Sequence, residues 1–359
     1  MSRNHRGTPR RKWSSCAASL TALIAAAGFG LAPAQAAPAG PVAPFPQAPA
    51  PPIDPLATVS QVGPEIVDID TRLGYQGAVG AGTGIVIDPG GVVLTNNHVI
   101  SGATDISARD IGNGQTYPVE VIGYDRTNDI AVVQLGGAGG LPVANIGNSS
   151  GVSVGEPIVS LGNAGGVGGT PSAVAGRVIG VNQTVSASDS LTGTTETLNG
   201  LIQVDAAIRP GDSGGPTVNS ANQVIGVNTA ASDNFKLGRG EGFAIPINRA
   251  MAIAGQIRSG AGSGTVHVGP TGFLGVGVND ARGGGAAIAQ VLPDGPAAAA
   301  GLQQGSVITS VNGSPVNSAT ALTNLLDQHH PGDTVTLSVL EGPGAPRSVP
   351  VTLAPGPPG

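Results

Sequence analysis

Between Glu65 and Pro246 the apolar residues come in strand-length runs, each cut short by glycine, proline, asparagine or aspartate. The segment PEIVDIDTR alternates, with Val67 and Ile69 sharing one face. GTGIVIDPGGVVLTN is two runs hinged at Asp88-Pro89-Gly90-Gly91, a hairpin signal. TYPVEVIGYD, DIAVVQL, EPIVSLGN, AVAGRVIGVN, LIQVDAA and NQVIGVNTA continue the pattern. Parallel sheets need long, usually helical crossovers, so strands that follow one another directly favour a barrel or a sandwich. Composition points the same way: 59 glycines and 30 prolines in 359 residues, with 3 % aromatic and 11 % charged, supply many turns and few long helices. The stretch GGAGGLPVANIGNSSG divides the region into halves of similar size.

The two ends read differently. Arg3, Arg6, Arg10, Arg11 and Lys12 precede the apolar CAASLTALIAAAGFGLA, and Ala34-Gln35-Ala36 supplies small residues for a peptidase, so residues 1–36 read as a signal peptide. Cleavage after Ala39 is the alternative site. A retained anchor is the competing reading, disfavoured by that small-residue exit, and RRKW matches the twin-arginine export pattern only in part. The leader carries five basic residues and no acidic ones, which leaves 11 basic against 22 acidic residues in the mature chain, a poor candidate for binding phosphate backbones. Cys16, the single cysteine, leaves with the leader, so neither disulfide nor thiol chemistry is expected. Residues 37–58 are proline-rich and read as a spacer, with packed sequence from about Val59. A helix capped by Asn248 and stopped at Gly260, with Ile247, Ala250, Met251, Ala254 and Ile257 on one face, closes a domain of residues 59–259. Residues 260–268 read as a flexible joint. Residues 269–355 form a small α+β module, in which Ser318 caps a helix presenting Leu322, Leu325, Leu326 and His329.

RPGDSGGPTV, residues 209–218, sets one serine among three glycines. Such a stretch is either a plain turn or a place where the backbone approaches something and a hydroxyl stays reachable. A nucleophilic serine needs a base and a group to orient that base. Of five histidines, His5 belongs to the leader, His267 to the joint, and His329 and His330 to the terminal module, leaving His98 in VVLTNNHVISGA. YDRTNDIAVVQL offers Asp125 and Asp129 as the carboxylate; Asp129 opens a buried strand, where an acid needs a partner, while Asp125 suits a turn. GDSGG also fits the nucleophile elbow G-x-S-x-G, but that elbow leads into a helix and its histidine follows the serine. Here strands follow, and the order His98, Asp129, Ser213 is the chymotrypsin-like one.

TNNHV, NDIAVVQL, DAAIRPGDSGGP and GFAIP, in this order over about residues 60–250, resemble the blocks of HtrA/DegP-type serine proteases. GFLGVGV, GLQQGSVITSVNG and the helix near 319–330 resemble the PDZ domain of that family. The resemblance implies an all-β, chymotrypsin-like double β-barrel protease domain followed by a small α+β PDZ domain, with a His98–Asp129–Ser213 triad between the barrels. It implies an oxyanion hole made by the N–H groups of Gly211 and Ser213, assisted by that of Asp212. Ala207 stands where trypsin-like enzymes carry the acid that selects basic side chains. With Ile208, and with Asn228, Thr229 and Ala230 on the opposing strand, it implies a small apolar pocket and cleavage after Val, Ala, Leu and similar residues. In the PDZ domain, Phe273, Leu274, Gly275 and Val276 would offer N–H groups to a peptide's C-terminal carboxylate, with Leu322 and Leu326 on the facing helix. The implied activity is that of an exported, ATP-independent serine endopeptidase acting on unfolded or exposed polypeptide without metal or cofactor. Its implied partners are polypeptide substrates and peptide C-termini, with a homotrimer common in the family. The other reading is a peptide-holding chaperone or adaptor with low or conditional proteolysis. Two residues depart from the family pattern. Asp212 stands where many relatives carry Asn, and its partner is left open. Ser306 replaces an acid in a PDZ turn.

Overall fold

The computed structural model describes residues 51–188, 195–229, 241–342 and 344–359. The expected signal peptide and most of the spacer lie outside the described residues. The spacer ends earlier than its composition suggests. Asp54 accepts the Leu56 N–H at 3.0 Å and Pro55 takes the first helical position, starting helix α1 (Pro55–Val62), which buries Thr58 and Val62.

Six strands follow: β1 (Ile66–Leu73), β2 (Ala78–Asp88), β3 (Val92–Thr95), β4 (Asp105–Asp110), β5 (Thr116–Asp125) and β6 (Ile130–Leu135), with helix α2 (Asn97–Ile100) after β3. They run in the order β5-β4-β1-β2-β3-β6, and the pairing of β5 with β6 closes them into a barrel. Strands β7 (Pro157–Gly162), β8 (Ser172–Ser188), β9 (Thr195–Val204), β10 (Pro216–Val218), β11 (Val224–Thr229) and β12 (Gly242–Pro246) close a second barrel. The alternation read from the sequence decides where each side chain goes. Val67 and Ile69 point into the first barrel with Val93, Val133 and Leu135. Ile66, Ile85 and Leu94 join Leu161, Leu201, Val227 and Ile245 in a core shared by both barrels.

Helix α3 (Ile247–Arg258) lays Ile247, Ala250, Ala254 and Ile257 on that shared core. Its N-cap is Pro246. Asn248 instead bonds outward, its amide to Asn148 Oδ1 at 2.7 Å and its Oδ1 accepting the Ser149 N–H. The expected joint is not a free linker throughout. Val266–Val268 forms strand β13, which adds to β5 opposite Gly123–Asp125, and His267 is buried. A Cβ at Gly123 would strike the His267 carbonyl oxygen, so this pairing depends on a glycine.

In the terminal module, β15 (Val276–Asp280), β16 (Ala286–Val291), β17 (Val307–Val311), β19 (Thr334–Leu340) and β20 (Arg347–Thr352) form one sheet, with β18 (Ser314–Pro315) on β17. Strands β14 (Thr271–Phe273) and β21 (Ala354–Gly356) pair separately. Short helix α4 (Pro296–Ala299) and helix α5 (Ala319–Leu326) complete it, and Ser318 caps α5 by accepting the Ala321 N–H at 3.0 Å. The module is tied to the first barrel through Asp327, which accepts Tyr124 Oη at 3.0 Å and Arg126 Nη1 at 3.1 Å. Among the described residues no helix is long and apolar enough to cross a membrane.

Candidate active site

His98 lies on α2, one turn beyond β3, and Asp129 ends the turn between β5 and β6. That turn forms because Asp125 accepts both the N–H and the side-chain amide of Asn128, at 3.0 and 2.8 Å. Asp129 then adopts left-handed backbone geometry, φ 53°, which aspartate tolerates better than most residues. The result aims its carboxylate back at α2. Oδ1 accepts the His98 main-chain N–H at 3.0 Å, and His98 Nδ1 lies 2.9 Å from Oδ2. Thr229 Oγ1 donates to Oδ2 at 3.0 Å, while Asn96 holds the Asp129 carbonyl at 2.9 Å. A carboxylate this buried, 2 % exposed, is thus surrounded by donors. It fixes Nδ1 as the protonated nitrogen of the neutral ring and leaves Nε2 as the basic one. The His98 side chain stays 41 % exposed, so that nitrogen is reachable.

Ser213 is held where the barrels meet. Its carbonyl accepts the Thr83 N–H from β2 at 2.8 Å, and the next residue, Gly214, donates to the Asn228 carbonyl on β11 at 2.8 Å. Asn228 adjoins Thr229, the residue bonded to Asp129. Residues 209–212 make a tight turn, with the Asp212 N–H on the Arg209 carbonyl at 2.9 Å and Gly211 at φ 96°. Positive φ at the third residue makes the turn type II and calls for glycine. Thr83 Oγ1 and the Gly165 N–H hold its outer side, through the carbonyls of Gly211 (2.7 Å) and Pro210 (2.8 Å). This corrects the expected oxyanion donors: the Asp212 N–H is spent inside the turn. The glycines also serve the protein itself. A Cβ at Gly211, Gly214 or Gly215 would strike the carbonyl oxygens of Asn163, Thr83 and Leu161 respectively.

The open question about Asp212 has an answer. It makes no close ion pair among the described residues, and the one cation that acts on it is the nearby charge of Arg209. Its carboxylate accepts Ser172 Oγ at 2.7 Å and the Arg209 N–H at 2.9 Å, and the residue is 4 % exposed. Burial pushes its carboxyl above the usual carboxylate range, and these two donors work against that rise.

Of the side chains expected at the pocket, that of Asn228 is fully buried, donating to the Leu161 carbonyl at 2.8 Å and accepting Thr217 Oγ1 at 2.6 Å, so it braces the barrel. Thr229 spends its hydroxyl on Asp129. Ala230 lies outside the described residues. Ala207 and Ile208 are half-buried, and Ile208 leans on Gly242, where a Cβ would collide with it. In the terminal module Leu274 and Leu322 belong to the core rather than to an open groove. Val276 and Leu326 are half-buried, and Gly275 turns the chain at φ 80°. Phe273 stacks on Tyr75 of the first barrel with ring centres 5.3 Å apart. Strand β15 pairs with β16 alone, leaving one edge unpaired among the described strands. The supports at Thr83, Ser172 and Thr229 were not read from the sequence; Thr229, a polar residue inside a wholly buried run, carried the one visible signal.

Residues 82–227 match the trypsin-like peptidase domain family and residues 272–352 the PDZ domain family. Serine protease PepD of Mycobacterium tuberculosis is 36 % identical over 93 % of this chain and 76 % of its own length. Periplasmic serine endoprotease DegP of Escherichia coli is 35 % identical over 72 % of this chain, which spans 54 % of that longer protein. The chain belongs to the HtrA/DegP family of serine proteases. A solved structure of the HtrA-type protease AlgW with tripeptide agrees, at 28 % identity and a TM-score of 0.50, covering 85 % of this chain and 98 % of that one. As an HtrA/DegP-type serine endopeptidase it carries a chymotrypsin-like fold followed by a PDZ domain.

Proposed function

We propose that this HtrA/DegP-type protease is exported and cuts unfolded or exposed polypeptide after small aliphatic residues through Ser213, His98 and Asp129. Ser213 Oγ attacks the scissile carbonyl carbon while His98 Nε2 takes its proton. The N–H groups of Gly211 and Ser213 stabilise the oxyanion. His98 returns the proton to the leaving amine as the carbon–nitrogen bond breaks, and water then hydrolyses the acyl-enzyme by the same steps. Asp129 steadies the imidazolium throughout. The observation that carries this reading is the His98 Nδ1 contact to a buried, fully engaged Asp129 carboxylate at 2.9 Å, beside a type II turn at Gly211.

The test is fluorophosphonate labelling of the intact protein against Ser213→Ala and His98→Ala, each expected to lose roughly a million-fold in turnover. A wild-type protein that is never labelled, yet suppresses aggregation, would establish the holding role instead. The side-chain preference rests on Ala207 and Ile208, which present no charge to the residue before the cut bond. A cleavage profile dominated by Lys or Arg at that residue refutes it. The exposed edge of β15, beside α5, supports capture of peptide C-termini by strand addition. Export rests on the leader-like residues 1–36 and on relatives named as periplasmic.

A further inference from the structure

Beside the oxyanion turn lies a cleft of about 530 Å³, with Pro210, Gly211 and Gly166 on one side and strands β1, β2 and β4 on the other. It shares Gly211 with the proposed oxyanion hole but includes none of residues 207, 208, 228 and 229, which lie toward the residue before the cut bond. A substrate whose carbonyl oxygen reaches the Gly211 N–H therefore lays its leaving half in this cleft. The cleft is large enough for main chain and one long side chain.

Its strand wall is a charged ladder with one unbalanced rung. Residues 68, 70 and 72 of β1 share a face, because side chains alternate along a strand. The register sets Asp68 opposite Arg109, Asp70 opposite Ser107 and Arg72 opposite Asp105 on β4. On the other side, Asp70 lies opposite Ala81 and Arg72 opposite Val79 of β2. In each outer rung an acid faces a base across the strands, which offsets their charges by proximity although neither pair closes to an ion pair. Asp68 is further engaged by the Gly169 N–H at 3.0 Å. Asp70 faces no cation across either strand and makes no ion pair among the described residues. Diagonal to Asp70 and directly opposite Arg72, Val79 is 82 % exposed and also lines the cleft, an apolar surface suited to an alkyl stem whose cation reaches past Arg72 to Asp70.

We propose that this cleft is a leaving-side subsite that selects lysine or arginine at one of the first three positions after the cut bond, with the stem on Val79 and the cation at Asp70. The proposal rests on Ser213 being the nucleophile. It is tested on the full chain with internally quenched peptides that carry Val before the bond and Lys, Ala or Glu at each of the first three positions after it. At one of those positions kcat/KM for Lys exceeds that for Ala by roughly fivefold, with Glu below Ala, and added salt shrinks the ratio. Asp70→Asn brings the Lys-to-Ala ratio to about one, and Asp70→Lys inverts it. Ratios are taken within each variant, so differences in folded fraction cancel. A flat wild-type profile, a preference for Glu, or a ratio that survives Asp70→Asn overturns the subsite while fluorophosphonate labelling of Ser213 still stands. If no peptide is cut and Ser213 is not labelled, the nucleophile assignment falls and the subsite falls with it.

Discussion

Ser172→Ala removes a hydroxyl that lies 2.7 Å from Asp212 Oδ1 and 2.9 Å from the Gly162 carbonyl oxygen. Its single proton goes to the ionised carboxylate, the stronger acceptor, so the substitution leaves that carboxylate the Arg209 N–H at 2.9 Å. A hydrogen bond to a charged group contributes about 1.5–3 kcal/mol, and Asp212, at 4 % exposed, has little water to replace the lost donor. The substitution is therefore expected to cost about 2 kcal/mol, which lowers the population of the competent 209–213 turn by at most about thirtyfold. Ser172 bonds Asp212 and stands behind the turn, so the loss falls on kcat and leaves KM unchanged. Ser172→Thr, which keeps a hydroxyl, restores most of it. The pH dependence carries a definite sign. An acid whose pKa is raised by folding contributes stability that is complete below its unfolded value and is lost as pH rises through the folded one. The Ser172 hydroxyl solvates the anion and offsets part of that loss. The deficit of Ser172→Ala is consequently largest near neutral pH and shrinks in mild acid as Asp212 takes up a proton. Urea denaturation at the two pH values, with kcat measured alongside, tests this. The same substitution in an Asp212→Asn background should cost less, because the amide carries no charge. Equal deficits at both pH values together with an unchanged kcat would refute the assigned support.

Gly211→Ala should lower kcat by about 100- to 1,000-fold, since a Cβ there strikes the Asn163 carbonyl and φ 96° is strained for alanine; active-site titration beside a melting curve separates loss of chemistry from loss of fold. Thr229→Val keeps the shape but leaves Asp129 without its hydroxyl donor at 3.0 Å, and should cost roughly tenfold in kcat, recovered by Thr229→Ser. Asp327→Asn weakens the tie to Arg126, whose partner side chains are each 14 % exposed, and should destabilise by about 1 kcal/mol while speeding hydrogen exchange at Val266–Val268; unchanged exchange there would show that β13 is held without it.

Periodicity is a local property, and what depends on it was legible. The alternating runs between Glu65 and Pro246 predict short antiparallel strands, and the structure closes them into two barrels. Val67 and Ile69 share a face as read, and the α3 face of Ile247, Ala250, Ala254 and Ile257 is the buried one. Boundaries were less legible where composition and contacts disagree. The proline-rich spacer conceals an Asp54-Pro55 helix start, and the glycine-serine joint runs into a strand because β5 offers Val266–Val268 an open edge. A lone polar residue on a strand gives no sign of what its side chain will brace, so the bonds of Asn228 to Leu161 and of Thr229 to Asp129 were not legible.

By itself the sequence determined the β architecture, the order of histidine, acid and serine, and the glycines that a tight turn around Ser213 demands. Only the tertiary structure decided which groups support them. Thr229 reaches Asp129 across 100 positions, Ser172 reaches Asp212 across 40, and the unbalanced charge of Asp70 exists only through the register of β1 with β4. The physical reason is that propensity and alternation act between near neighbours along the chain. Hydrogen bonds and charges act across a few ångströms of space, and closing the barrels sets which distant residues come that close.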